Sequence, residues 1–400
     1  MRRGLPSAVI ALGVVSFFTD VSSEMIYPLL PLFLASVLGA GPAVLGLIEG
    51  VAESTAALLK VVSGRWSDRA RRRKPLIVAG YGLAGAVRPL IGLAGSWPAV
   101  LALRFADRIG KGLRTSPRDA LIADATPAER RGEAFGVQRA FDHAGAVVGP
   151  LVAAALLGWA GLELRAVFLL AAVPAAVVIA VLLLAVHEPP RPAPAAAPSG
   201  KASSEPFGGR FGLLLAAVVV FTLGNSTDAF LLLRLADAGV APARVALLWS
   251  AFHVVKAAAT WLGGLLSDRI GRRPMVAAGW LLYAAVYLAF ATVDRQSALV
   301  AVFLAYGLHF GLTEPVERAW VVDLAPASRR GAALGLYHGA VGLAALPASV
   351  LFGLLWQRFG AAAAFSFGAG AALVATLLLL GVGAGKGARP PATRGTATRA

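Results

Sequence analysis

Gly64-Arg65-Trp66-Ser67-Asp68-Arg69, trailed by the basic residues Arg71, Arg72, Arg73 and Lys74, returns later as Gly264-Leu265-Leu266-Ser267-Asp268-Arg269-Ile270-Gly271-Arg272-Arg273, with Asp68 and Asp268 200 positions apart. Further along, Asp124-Ala125-Thr126-Pro127-Ala128-Glu129-Arg130-Arg131-Gly132 is echoed by Asp323-Leu324-Ala325-Pro326-Ala327-Ser328-Arg329-Arg330-Gly331, at an offset of 199. The chain therefore consists of two copies of one unit. A half-length duplication within a hydrophobic sequence points to a membrane transporter.

Composition agrees, since 58% of residues are hydrophobic and only 14% charged, with a mean hydropathy of +0.73. Soluble domains are far more polar. The absence of cysteine excludes disulfides, a thiol nucleophile and thiolate metal sites. The net charge of +16 could suggest nucleic acid, but the basic residues fall in short loops between apolar runs, where membrane orientation explains them, and no nucleic-acid partner is expected.

A run of about 20 apolar residues crosses a bilayer as a helix, and roughly twelve such runs can be placed. They lie near 8–36, 42–63, 75–95, 97–122, 133–158, 164–186, 211–236, 243–262, 275–293, 297–322, 332–356 and 361–383. The first, with Asp20, Glu24, Pro28 and Pro31, has no signal-peptide cleavage region. Basic loops follow runs 2, 4, 8 and 10, whereas Gly39-Ala40-Gly41-Pro42 and Gly95-Ser96-Trp97 lack Lys and Arg. By the positive-inside rule the basic loops and both termini, with Arg2 and Arg3, are expected in the cytoplasm. Trp97 and Trp159 suit interfacial anchors. The expected division is a six-helix bundle over 1–187, a Pro-rich cytoplasmic linker over 188–209, a second bundle over 210–385 and a disordered basic tail over 386–400.

These features, above all the paired Gly-x-x-x-Asp-Arg loops after helices 2 and 8, resemble the major facilitator superfamily of secondary transporters. The second loop fits the family signature throughout, whereas the first has Trp66 for an aliphatic residue and Arg71 for the second Gly. The resemblance implies an all-α integral membrane protein of twelve transmembrane helices in two pseudo-symmetric six-helix bundles. It also implies alternating access, no cofactor and no enzymatic activity. In that family the loop contacts help close the cytoplasmic gate, which here assigns Gly64, Asp68, Arg69, Arg118, Gly264, Asp268, Arg269, Glu317 and Arg318 to it. A purely topological or packing role for these residues is the simpler alternative. On helix 5, Gly145, Gly149 and Pro150 resemble the G-x-x-x-G-P segment of proton-driven drug antiporters, with Ala153 and Ala154 where further glycines are usual.

Helix 4 carries Arg104, Asp107, Arg108, Lys111, Arg114, Arg118 and Asp119 at spacings that put most of them on one face. A charge at mid-bilayer costs about 2.5 to 3.5 kcal/mol on the lenient insertion scale, so this stripe cannot face lipid. It must line water or meet acids, with Asp20, Glu24, Glu49, Glu53 and Asp142 as candidates. A substrate-cavity wall and a buried ion network both fit Arg104, Asp107, Arg108, Lys111, Glu49 and Glu53. On helix 1, Asp20 and Glu24 lie four apart on one face and could take up and release protons, as could Asp142. A salt bridge to helix 4 is the alternative.

In the second half, Asn225, Ser226 and Asp228 on helix 7, His253 and Lys256 on helix 8, and Glu314 could complete the cavity. His309 and His338 suit packing roles, and no metal site is expected from them. The functional expectation is a monomeric, proton-coupled exporter of a small solute in the cytoplasmic membrane. An importer, an uncoupled facilitator, a metal or metal-chelate exporter using acids near His143, and a non-transporting receptor are the alternatives. No P-loop, Gly-x-Ser-x-Gly or His-Glu-x-x-His motif suggests an enzyme.

Overall fold

The computed structural model describes residues 5–70, 72–127, 130–188, 206–326 and 329–382. Arg2, Arg3, Arg71, most of the expected linker and the expected tail over 386–400 lie outside the described residues.

The first half comprises α1 (Ser7–Val37), α2 (Pro42–Arg69), α3 (Lys74–Leu93), α4 (Trp97–Ala125), α5 (Arg131–Gly158) and α6 (Leu164–Leu184). The second comprises α7 (Gly209–Asp237), α8 (Pro242–Ile270), α9 (Arg272–Thr292), α10 (Gln296–Leu324), α11 (Arg330–Phe359) and α12 (Ala361–Gly381). No strand occurs among the described residues. Ten of these helices are long and apolar enough to cross a membrane. The other two, α2 with 28 residues and α4 with 29, have the length but carry the charged residues noted above.

The helix breaks follow the sequence. In α1 the regular α-helix ends at Glu24, and Pro28 and Pro31, which lack a backbone N–H, impose a 3-10 turn over Tyr27–Leu29 before a π-turn over Phe33–Val37. In α7 the regular helix ends at Gly224, opens through Asn225 and resumes over Ala229–Asp237. Both interruptions thus fall at the same place in the two repeats. Each is followed by a glycine turn with positive φ, Gly39 at 63° and Gly239 at 84°, a conformation glycine adopts without a Cβ penalty.

Packing repeats as well. α2 and α3 both lie against α4, and α1 against α5 and α6; α8 and α9 lie against α10, and α7 against α11 and α12. Between the halves, α2 packs on α11 and α5 on α8. Exchanging the repeats turns each of those pairs into the other, as a twofold relation requires. Small residues let these helices touch: Gly46 faces the Ser349 carbonyl and Gly353 the Pro42 carbonyl with no room for a Cβ, and Gly50 faces Leu346 with little to spare.

Candidate functional site

α4 faces α2 and α3, and its charges meet acids and bases there in a ladder. Arg104 donates to one Glu49 oxygen through Nη2 at 2.6 Å and Nε at 3.0 Å. Asp107 accepts from Arg88 of α3 at 2.8 and 3.2 Å, and its other oxygen lies 3.5 Å from Arg104. Arg88 also donates to the Thr19 carbonyl and to Ser22 Oγ of α1, each at 3.2 Å. One turn on, Arg108 lies 3.5 Å from Glu53. Arg104, Asp107, Glu49 and Arg88 are each no more than 4% exposed. The stripe on α4 is therefore turned inward, against carboxylates, as its desolvation demands.

Three basic residues of α4 stand outside this ladder. Arg114 lies with its guanidinium carbon 4.4 Å from the centre of the Tyr81 ring. Arg118 meets Asp119 at 2.8 Å and Ser16 Oγ at 3.3 Å. Lys111 forms no ion pair among the described residues.

On α1, Asp20 and Glu24 lie along α5. A Cβ on Gly145 would collide with the Phe17 carbonyl and come 3.0 Å from the Asp20 Cβ, and one on Gly149 would come 2.7 Å from the Val21 carbonyl and 3.0 Å from the Glu24 Cβ. The glycines of the motif on α5 thus seat the two carboxylates of α1. Asp20 makes no side-chain hydrogen bond or ion pair among the described residues. Glu24 accepts from the indole Nε1 of Trp249 on α8 at 2.7 Å, and His253 Nε2 lies 4.0 Å away without a hydrogen-bond partner of its own. Asp142 stays with its own helix, accepting from Gln138 at 3.0 Å and from Arg139 at 3.4 Å. Gln138 also reaches Ser16 of α1 at 3.0 Å.

In the second half, Asp228 accepts from Tyr306 Oη at 2.9 Å and Ser226 pairs with Tyr287 Oη at 3.0 Å. Asn225 marks the break in α7. The Lys256 ammonium stands 3.7 Å above the Phe310 ring, a cation–π contact. His309 Nδ1 meets the Gly279 carbonyl at 2.9 Å. Glu314 is paired with Arg318 at 2.8 Å on its own helix. Glu317 accepts from Trp280 at 3.0 Å and from Tyr337 at 2.7 Å.

Of the expected gate residues, Asp68 and Arg69 are exposed and have no polar partner across the halves among the described residues. Asp268 pairs with Arg272 within its own loop at 2.8 Å, and Gly264 has no neighbour at its Cβ position. Arg73 with Asp124 and Arg272 with Asp323 form equivalent ion pairs in the two repeats. The two halves meet elsewhere: Ser54 Oγ donates to the Gly342 carbonyl at 2.7 Å, Ser250 Oγ to the Val147 carbonyl at 2.8 Å, and the Ala43 N–H to Gln357 at 3.3 Å. The contacts of Ala43 and Ser250, and that of Glu24 with Trp249, lie toward the ends remote from the basic loops, and that of Ser54 with Gly342 lies near mid-helix. Toward the basic loops, Gly132 and Gly136 on α5 and Gly331, Gly335 and Gly339 on α11 have open space at their Cβ positions.

A family model described as Major Facilitator Superfamily matches residues 12–235 and 213–399. The chain belongs to the major facilitator superfamily. It is a multi-pass membrane transporter, not an enzyme, and transporters of this superfamily carry small molecules. It is 34% identical over 370 residues to an uncharacterized MFS-type transporter of Methanocaldococcus jannaschii, covering 89% of this chain and 90% of that protein. It is 30% identical over 357 residues to an uncharacterized protein of Mycobacterium tuberculosis, covering 87% and 86%. The crystal structure of a bacterial homolog to the human lysosomal transporter Spinster, inward-facing and unoccupied, superposes with a TM-score of 0.73 at 19% identity, covering 95% of this chain and 96% of that one. At that identity the superposition speaks for the superfamily fold alone.

Several residues of the site lie outside the set expected from sequence. Arg88 follows Val87 and precedes Pro89 in an apolar helix, so a search for lone intramembrane charges finds it. Tyr27, Trp249 and Tyr306 are ordinary aromatic residues of a membrane sequence, and only the fold brings them to a carboxylate or a hydroxyl.

Proposed function

We propose that this superfamily member is a proton-coupled exporter of a small solute, working by alternating access in the cytoplasmic membrane. The observation that carries the reading is the placing of Asp20 and Glu24: adjacent on α1, seated on the glycines of α5, with Glu24 bonded across the halves to Trp249 and Asp20 unpaired one turn away.

In this reading α2 and α4 also span, their charges satisfied inside the protein, giving twelve spans. Bundles over 1–187 and 210–385 are joined by a linker over 188–209, with the basic loops and both termini in the cytoplasm. The contacts near Ala43, Ser250 and Trp249 then form the closed outer end, and the parted ends of α5 and α11 form a cleft open to the cytoplasm. Asp68, Arg69, Asp268 and Arg269 close that cleft in the alternate state. Asp142, Asp228 and Glu314 flank it, and Arg118, Glu317 and Arg318 brace its walls.

The coupling is electrostatic. An ionised Asp20 is tolerated while water reaches it but is costly in a closed, dry cleft, so a proton taken from outside permits the return to the cytoplasm-open state. Its release there restores the charge and holds the cleft open for the next solute. The glycine motif on α5, similar to that of proton-driven antiporters, supports export.

Proteoliposomes with an imposed pH gradient test the proposal. Transport-linked proton flux should appear with wild type and be lost in Asp20→Asn, in Glu24→Gln or in both. Flux that persists undiminished in the double variant overturns the coupling assignment.

A further inference from the structure

The charge pattern of the cleft says which solute it takes. On α2 and α4 the ladder runs Glu49 with Arg104, then Glu53 with Arg108. The next rung has no acid. Gly112 packs on Ala56 and Leu59, and its carbonyl accepts from Ser63 at 2.7 Å, so Lys111 stands level with residues 56–60 of α2. Those positions offer Ala56, Ala57 and a second cation, Lys60. Ala57 in turn faces Gly342 of α11, which sets this rung at the junction of the halves.

On the opposite wall, Trp249 and His253 of α8 meet Glu24. Lys256 follows His253 by one turn on the same face, toward the basic-loop end; its ammonium stands over the Phe310 ring, with Asp228 and Glu314 as electrostatic neighbours and no direct ion pair among the described residues. On α1, Asp20 likewise lies one turn from Glu24 toward that end. Lys111 sits one turn beyond Asp107, which Arg88 links to Thr19 and Ser22. Lys111 and Lys256 therefore lie at the depth of Asp20, one in each half, where the closed end gives way to the open cleft.

We propose that Lys111 and Lys256 form a binding site for an anionic organic solute, a carboxylate or a phosphate or sulfate ester, with its apolar part against Phe310. The proposal rests on the alternating-access reading above. Neither ammonium has a direct ion pair among the described residues; Glu53 near Lys111 is engaged by Arg108, and Asp228 and Glu314 near Lys256 by Tyr306 and Arg318, so once the cleft closes and water leaves, an anion between the lysines pairs with both. Because it bridges the halves, the anion draws together the walls that must meet when the cytoplasmic end closes. The arginines of the ladder cannot serve, since Arg88, Arg104 and Arg108 already face carboxylates.

Thermal unfolding of the full-length protein in nanodiscs, followed by tryptophan fluorescence, tests this with benzoate as probe, its neutral isostere benzamide, and chloride at matched ionic strength. Benzoate should raise the midpoint by roughly 2–4 °C at concentrations about tenfold above its dissociation constant, and benzamide and chloride should not. Lys111→Gln and Lys256→Gln should each weaken the benzoate response about tenfold or more, while Lys111→Arg and Lys256→Arg retain it. Equal stabilisation by benzamide, no response to benzoate in the wild type, or a full response in the Lys111→Gln/Lys256→Gln double variant overturns the proposal. If the glutamine variants do not fold, the benzoate-to-benzamide comparison and the arginine variants decide it. Asp20→Asn should still bind benzoate, so a failure of proton coupling leaves this result standing and is told apart from a failure of the anion site.

Discussion

Tyr27 and Thr227 occupy the same place in the two repeats, 200 positions apart, and their hydroxyls meet at 3.1 Å. Two equivalent residues can touch only where the relating axis passes between them. The pivot between the halves therefore runs through the breaks in α1 and α7, next to the Tyr27 ring, which packs on Trp249 at 5.2 Å between centroids.

A contact on the axis is kept when the halves rock about it. Tyr27→Phe, which removes one hydroxyl, should cost about 0.5–1.5 kcal/mol of stability and leave the balance between the two open states nearly unchanged. Thermal unfolding reads the first effect. Spin-label distances between Ser96→Cys and Arg295→Cys, the only thiols in a chain without cysteine, read the second. A large change in the distance distribution would place the axis elsewhere.

In the proposed alternating-access cycle, the bond from Trp249 to Glu24, which links the two halves, breaks when the outer end opens. Trp249→Phe deletes the donor while keeping a ring, removing a hydrogen bond to a charged group worth about 1.5–3 kcal/mol. Since the bond exists in one state only, the loss moves the equilibrium toward the outward-open form by roughly ten- to a hundredfold. The same pair of labels should then report longer distances between the outer links. Unchanged distances would mean that this bond does not hold the outer end closed.

The fold could be inferred from sequence because its cause is periodic: apolar runs of bilayer length and a repeated loop need no tertiary information. The inward orientation of the α4 stripe followed likewise, since lipid cannot accept Arg104 or Asp107. The pairing within the stripe could not be inferred in the same way. Helical spacing gives a shared face but not the neighbour, and Asp107 takes Arg88 of α3, not an acid-bearing helix, as its main partner. Nor could spacing show that Glu24 crosses to the second half while Asp142 remains on α5. The gate residues are a third case: Asp68 and Arg69 have no polar partner in the other half among the described residues, so the geometry of one state is silent about the other.

Arg104 and Glu49 form the most deeply buried pair, with side chains 4% and 0% exposed. Removing Arg104 leaves Glu49 charged and uncompensated, and removing Glu49 leaves Arg104 only its longer contact with Asp107 at 3.5 Å. Arg104→Met alone and Glu49→Leu alone should each destabilise by about 3–5 kcal/mol, whereas the double replacement should recover most of that loss. Chemical or thermal unfolding in detergent measures the cycle. If the double variant is as unstable as the sum of the singles, the two side chains do not act as a pair.

Gly145 and Gly149 set the distance between α5 and α1, and with it the position of both carboxylates. A methyl group at Gly145 collides with the Phe17 carbonyl, which is helical backbone and cannot rotate away. Gly145→Ala must therefore push the helices apart, at about 1–3 kcal/mol of stability for overpacking. Gly149→Ala meets the Val21 carbonyl at 2.7 Å and should do the same with a smaller shift. Because the displaced carboxylates are Asp20 and Glu24, the proton-driven component of transport should fall more steeply than solute binding measured at fixed pH. Gly132→Ala, at a position with open space around it, serves as the control and should change neither. Equal loss of binding and of proton-driven flux at Gly145 and Gly149 would mean that these glycines only pack the bundle.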